Sequence, residues 1–114
     1  MIDEIQKMTD SQINEAIATE VMGWNVLVGD YMDWYRKDRR FMQPVDSWNP
    51  TQDLNQCWEA EENIKDIGLS IQYVRVLYGF LQDSNRTLVF DFDIFHATAR
   101  QRCEAMLAAV RGAK

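Results

Sequence analysis

The stretch that decides the predicted fold class runs from residue 69 to residue 94. It contains two segments of alternating side chains, LSIQYVRVLY (69–78) and TLVFDFDI (87–94). A period of two residues with many β-branched and aromatic side chains is typical of strands. Because the turn-forming residues 82–85 separate the segments, we predict strands over about 69–78 and 86–94 that pair as an antiparallel hairpin.

Helix signals lie on both sides of this hairpin. Thr9 precedes Gln12 and Thr98 precedes Gln101 by three residues, a spacing typical of capping boxes, and apolar residues follow at helical spacing. We predict helices over about 10–22 and 98–111, with a glycine ending the first at Gly23. A middle helix over about 51–67 begins with Thr51 as N-cap and ends at Gly68. Its predicted buried face is Leu54, Cys57, Trp58, Ala60, Ile64 and Ile67.

Residues 24–50 are predicted to form a hairpin or irregular structure, since short alternating runs are interrupted by Gly29 and by two prolines. A chain of 114 residues has room for one core. The sequence therefore predicts a single α+β domain over residues 1–114, in which amphipathic helices cover an antiparallel sheet.

Composition indicates where the protein acts and which partners it can bind. The formal net charge is −6, which argues against general nucleic-acid binding, because neutralising phosphates takes an excess of Lys and Arg. No apolar run approaches the ~18 residues of a membrane span, and the acidic N-terminal stretch does not resemble an export signal. Cys57 and Cys103 fall at apolar helical positions, so we expect buried free thiols. Together these features predict a cytoplasmic protein without membrane contact.

A cation-rich segment is the main candidate site. Residues 34–41, WYRKDRRF, place Arg36, Arg39 and Arg40 beside Trp34 and Tyr35. Arginine binds phosphate oxygens through two parallel hydrogen bonds, and aromatic rings stack on bases, so this segment is predicted to bind an anionic small molecule. Two alternatives remain: a solvated turn, and a self-association surface built from the aromatic and methionine residues of 31–42. We expect a homo-oligomer.

A second candidate is a metal site formed by Asp91, Asp93 and His96. Two carboxylates and an imidazole could hold a divalent cation for a metal-dependent enzyme. A solvated strand edge explains the same residues more simply. Since the sequence also lacks phosphate-loop, zinc-spacing and nucleophile-elbow motifs, we expect neither an enzyme nor a bound cofactor.

Three further segments carry a family resemblance. They are Glu20-Val21-Met22-Gly23-Trp24, then Trp48-Asn49-Pro50-Thr51-Gln52-Asp53 leading to Trp58-Glu59, and Thr98-Ala99 with Arg102-Cys103-Glu104-Ala105. These residues resemble the small phage and prophage proteins of the phage ABA sandwich domain family. The resemblance implies a helix/sheet/helix sandwich active in the bacterial cytoplasm, and it implies no reaction.

The cation-rich segment and the family resemblance together indicate a function. We predict a small phage-encoded, non-enzymatic binding protein that sequesters a host nucleotide used as a defence signal. A phage protein-protein interaction or structural module, with a host protein as partner, is the alternative.

Overall fold

A computed structural model describes residues 2–28, 32–35, 41–85 and 97–113. The described part begins with helices α1 (Ile2–Gln6) and α2 (Asp10–Ala16) and a π-helical turn (Ile17–Val21). Three strands follow, β1 (Asn25–Val28), β2 (Met32–Tyr35) and β3 (Phe41–Pro44), and then a 3-10 helix (Val45–Ser47). The remaining helices are α3 (Leu54–Asp66), α4 (Ser70–Asn85) and α5 (Ala99–Gly112).

The predicted α+β sandwich, an antiparallel sheet covered by amphipathic helices, is wrong. The described chain is mostly helical, and α4 occupies nearly all of residues 69–78, where we predicted the first strand. The second predicted strand, over 86–94, lies outside the described residues. The helices pack mainly on one another, because α5 contacts α1, α2, α3, α4 and the π-helical turn.

Burial explains why α4 is a helix. Tyr73, Leu77 and Phe80 recur at intervals of four and three residues, and all three are buried. Ile71 would share a face with Tyr73 and Leu77 in a strand, yet it is 65% exposed. The β-branched residues that suggested a strand lie partly on the exposed face of the helix, where strand propensity has little weight against core packing.

The helix starts follow from side-chain caps. Thr9 Oγ1 accepts a hydrogen bond from Gln12 N (3.2 Å), and Gln12 Oε1 accepts one from Thr9 N (2.9 Å). Thr98 and Gln101 make the same reciprocal pair, so both predicted capping boxes are confirmed. The predicted cap of α3 is wrong: Asp53, not Thr51, accepts from the first free backbone amides of the helix.

Two glycines and a wide turn shape the helix ends. Gly23 and Gly68 have φ values of 71° and 78°, the left-handed conformation that glycine adopts most readily at helix ends. Before Gly23, Met22 N donates to Ile17 O at 2.9 Å, a five-residue spacing that widens the helix. This π-helical turn buries Ile17, Ala18 and Val21 in the core.

The strands form a small antiparallel sheet in the order β1-β2-β3. Val26 pairs with Trp34, and Tyr35 pairs with Phe41 after an irregularity at Trp34 and Tyr35. The sheet lies in the segment 24–50, where we predicted a hairpin or irregular structure. It does not provide the central layer that the predicted sandwich required.

The core is centred on α5. Every residue from Cys103 to Val110 is buried, so this helix is surrounded by protein along most of its length. Ile5, Ile13, Ile64 and Leu77 are fully buried side chains from the other helices. None of the described helices is both long and apolar enough to cross a membrane.

Candidate functional site

Two of the five predicted anion-binding residues lie within the described part of the chain. Trp34 and Tyr35 are the last two residues of β2. Arg36, Arg39 and Arg40 fall in the connection between β2 and β3, outside the described residues. The metal candidates Asp91, Asp93 and His96 also lie outside the described residues. Within the described segments, no three His, Cys, Asp or Glu side chains form a group that could hold a metal ion.

A hydrogen-bonded cluster joins α2 to the chain before α3. Asn14 Nδ2 donates to Asn49 Oδ1 (2.8 Å), and Asn14 Oδ1 accepts from Thr51 N (3.1 Å). Thr51 Oγ1 also donates to Asn49 Oδ1 (3.3 Å). Gln56 accepts from Asn49 N at 2.6 Å and donates to Ser47 O at 2.7 Å. These bonds satisfy the polar groups of a loop that Pro50 anchors in the core.

Two tryptophans support this cluster from the core side. Trp48 Nε1 donates to Asn14 O at 3.0 Å, so the buried indole satisfies its donor. The Trp48 ring meets Trp24 edge to face, with centroids 4.7 Å apart and an interplanar angle of 62°. Trp24 and Trp48 are both nearly fully buried. The contact between Trp24 and Trp48 therefore holds the loop 47–51 against the core.

An open cavity of about 460 Å³ lies beside this loop. α2 contributes Ser11, Asn14 and Glu15 to its lining, and β1 contributes Val26. Val45 and Asp46 of the 3-10 helix, with Trp48 and Asn49, also line it, as far as the described residues show. The ionisable side chains among these residues, Glu15 and Asp46, are both acidic. The described lining therefore combines apolar side chains, polar side chains and two carboxylates.

Arg100 ties the beginning of α5 to the beginning of the chain. Its guanidinium donates to Asp10 Oδ1 (2.5 Å), Met8 O (2.6 Å) and Gln6 O (3.3 Å). The hydrogen bond from Arg100 lowers the pKa of the Asp10 carboxyl. Burial raises the pKa of Glu104, whose carboxylate lies 3.6 Å from Arg100. The contacts of Arg100 therefore hold the start of α5 against the segment that joins α1 to α2.

A second polar cluster joins α3, α4 and α5. Tyr73 Oη donates to Glu61 Oε2 (2.5 Å), and Arg102 Nη1 binds the same oxygen at 3.1 Å. Burial, followed by the Glu61 hydrogen bond, raises the pKa of Tyr73. Because each polar group in this cluster has a partner, its physical function is to fix the three helices. Arg111 makes a comparable two-bond contact with Glu20 of the π-helical turn.

The comparison with known families follows the same segments. The model of the phage ABA sandwich domain matches residues 15–107 of the chain. The chain belongs to this family. Its match begins in α2 and ends in α5, so it covers the sheet, the loop 47–51 and most of the residues that line the cavity. No curated protein and no solved structure matches the chain.

Two of the segments that resemble the phage ABA sandwich family lie at helix ends in this family member. Residues 20–24 contain the end of the π-helical turn, the left-handed Gly23 and the buried Trp24. Residues 48–53 form the loop and the cap of α3. The helix/sheet/helix sandwich that the resemblance implied is not the arrangement of the described residues, which is mainly helical.

The two thiols of this phage ABA sandwich protein are buried and free, as predicted. Cys57 Sγ contacts Ala99 O at 3.8 Å, which places it where α3 meets α5. A hydrogen bond with the Cys57 thiol, followed by burial, raises the pKa of the Cys103 thiol. Both side chains thus behave as small core residues.

One predicted core residue is on the surface of this family member. Trp58 is 50% exposed, so the prediction that it fills the core is wrong. Leu54 and Ile67, assigned to the same buried face, are 41% and 49% exposed. The buried face of α3 is narrower and consists of Cys57, Ala60 and Ile64. The sequence analysis therefore missed several exposed apolar side chains on α3 and α4.

Proposed function

We propose that this phage protein acts without catalysis by binding and sequestering an anionic nucleotide at the connection between β2 and β3. Arg36, Arg39 and Arg40 would contact the phosphates, and Trp34 or Tyr35 would stack on the base. The observation that supports the proposal is the pairing of Tyr35 with Phe41, because it makes residues 36–40 a short connection between paired strands.

The charge of this connection supports an anionic ligand. Its sequence, RKDRR, carries four cations and a single acid in a protein whose net charge is −6. By contrast, Arg100, Arg102 and Arg111 all bind carboxylates of the helical part of the described chain. Arginines next to aromatic residues in a short connection are suited to phosphate and base contacts.

A screen against linear and cyclic nucleotides tests the proposal, using calorimetry with the whole protein. We expect a nucleotide with a Kd below about 10 µM, or about −7 kcal/mol. Binding should weaken as salt rises, and heat denaturation should release the nucleotide chemically unchanged. A nucleotide that returns hydrolysed would instead identify an enzyme.

The double variant Arg39→Ala/Arg40→Ala should abolish this binding. Arg75→Ala is the matched control, because Arg75 is an exposed arginine on α4 far along the chain from the connection. The sequestration proposal is wrong if no nucleotide in the panel binds with a Kd below about 10 µM. It is also wrong if Arg39→Ala/Arg40→Ala and the control Arg75→Ala both bind the nucleotide as tightly as the unmodified protein does.

A second candidate function is protein binding, beginning with a second copy of the chain. It is favoured by exposed apolar side chains on α3 and just before and within α4, namely Leu54, Trp58, Ile67, Ile71 and Val74. Large exposed apolar groups are typical of interfaces. A host protein is the alternative occupant of this surface.

Light scattering after gel filtration tests self-association at micromolar concentration. We expect a mass of at least two chains, lowered to one chain by Ile71→Glu and unchanged by the neighbouring control Gln72→Glu. A one-chain mass for the unmodified protein would exclude a stable homo-oligomer. We also propose that the protein acts in the bacterial cytoplasm, where its two free thiols would remain reduced.

A further inference from the structure

The cavity beside α2 has features of a binding site that are independent of the proposed nucleotide site. Its volume of about 460 Å³ lies within the range of about 300–1,000 Å³ that is typical of small-molecule pockets. The described residues of its lining come from α2, β1, the 3-10 helix and the loop 47–51. A ligand here would contact four separate parts of the chain at once.

The walls of this cavity are held in place before any ligand binds. Asn14 and Asn49, which both line it, are joined to each other at 2.8 Å and to Thr51. Trp48 is fixed by its hydrogen bond to Asn14 O and by its contact with Trp24. Such a preformed wall lowers the ordering cost of binding.

The carboxylates at the cavity differ from the four described carboxylates that form ion pairs. Asp10, Glu20, Glu61 and Glu104 each lie within 4 Å of an arginine nitrogen. Glu15 and Asp46 have no such arginine or lysine partner among the described residues, and both are exposed to solvent at the cavity. A positively charged group could therefore bind them without displacing an existing ion pair.

We infer that the cavity binds an organic cation, in which an ammonium or guanidinium group is carried on a short aliphatic stem. Glu15 and Asp46 would attract the cationic group, while Val26 and Val45 would contact the stem. The polar side chains of Ser11 and Asn49 add hydrogen-bonding groups to the same lining. A nucleotide is a poor occupant, since its phosphates would be repelled by both carboxylates.

The first test is calorimetry with agmatine, which carries a guanidinium and an ammonium group on a four-carbon stem. We expect saturable binding with a Kd below about 1 mM that weakens as salt rises. Acetyl-Gly-Arg-Gly-amide is titrated in parallel. Tighter binding of agmatine identifies a free small molecule as the source of the cation, and tighter binding of the peptide identifies an arginine side chain of a partner protein.

Four variants assign the binding to the cavity. Glu15→Gln and Asp46→Asn should each weaken binding about fivefold, as expected for partly exposed charge pairs. Ser11→Phe should abolish it by filling the cavity while leaving both carboxylates in place. The control is Glu62→Gln, which removes an exposed carboxylate of α3 and should leave the Kd unchanged.

Two results would overturn the inference. One is the absence of saturable binding of either probe below about 1 mM. The other is equal loss of affinity in Glu62→Gln and in the two cavity variants, which would indicate attraction by the overall negative charge. Arg39→Ala/Arg40→Ala should bind agmatine normally, so failure of the nucleotide proposal and failure of this one are distinguishable.

Discussion

Replacing Leu77 and Ile71 by alanine, one at a time, tests whether residues 70–85 form a helix with one buried face. Leu77 is 1% exposed among the residues where α4 packs on α5, whereas Ile71 is 65% exposed on the same helix. A helix separates these two side chains onto different faces. A strand would place both on one face, because residues six apart in a strand project to the same side.

The expected losses of stability for Leu77→Ala and Ile71→Ala differ widely, because the two side chains differ in burial. Removing a fully buried leucine side chain to alanine costs about 2–5 kcal/mol, including the cavity that it leaves. For a chain of this length, that corresponds to a fall in Tm on the order of 10 °C. Ile71→Ala removes a side chain that is already mostly in water, so we expect a change within about 0.5 kcal/mol.

Urea denaturation followed by far-ultraviolet circular dichroism measures both costs. The unfolding midpoints should be compared at two protein concentrations, because a contribution from self-association at Ile71 would grow with concentration. If Ile71→Ala is as destabilising as Leu77→Ala at the lower concentration, the helical assignment of α4 is refuted.

Three further predictions concern the remaining helices. Thr98→Ala should destabilise the fold by about 1 kcal/mol by removing the capping box of α5, and an unchanged urea midpoint would contradict that cap. Cys57 and Cys103 should react with a thiol reagent only as fast as the protein unfolds; rapid labelling in native buffer would show that they are accessible. Asp10→Asn should cost less than about 1 kcal/mol at neutral pH. Because Arg100 lowers the pKa of Asp10, this contribution is present above about pH 4 and lost as pH falls through the lowered pKa, so the two proteins should converge in stability in strong acid.

Local signals in the sequence predicted some of the helix ends correctly. The caps at Thr9 and Thr98 depend on residues three positions apart, and Gly68 ends α3 through its own backbone conformation. The cap of α3 was misassigned between two residues of similar capping ability. Thr51 is instead buried and bonded to Asn49, and this contact depends on the position of α2.

The predicted fold class is wrong because the spacing of apolar residues over 69–78 fits both a strand and a helix. Leu69, Ile71, Tyr73 and Leu77 satisfy a period of two, while Tyr73, Leu77 and Phe80 satisfy a helical one. Only packing against α5 decides between these patterns. The cavity was missed for a similar reason, since Glu15 and Asp46 are 31 positions apart and no local motif links them.

The central position of α5 has a consequence for synthesis of the protein on the ribosome. This helix begins at Ala99, and it covers side chains from nearly every other helix. A nascent chain that has not yet emerged past residue 110 therefore leaves Ile13, Ile17 and Leu77 without the partner that buries them. The core can therefore close only after α5 has left the exit tunnel, so the growing chain exposes its apolar side chains for longer than a protein whose core is completed by its first half.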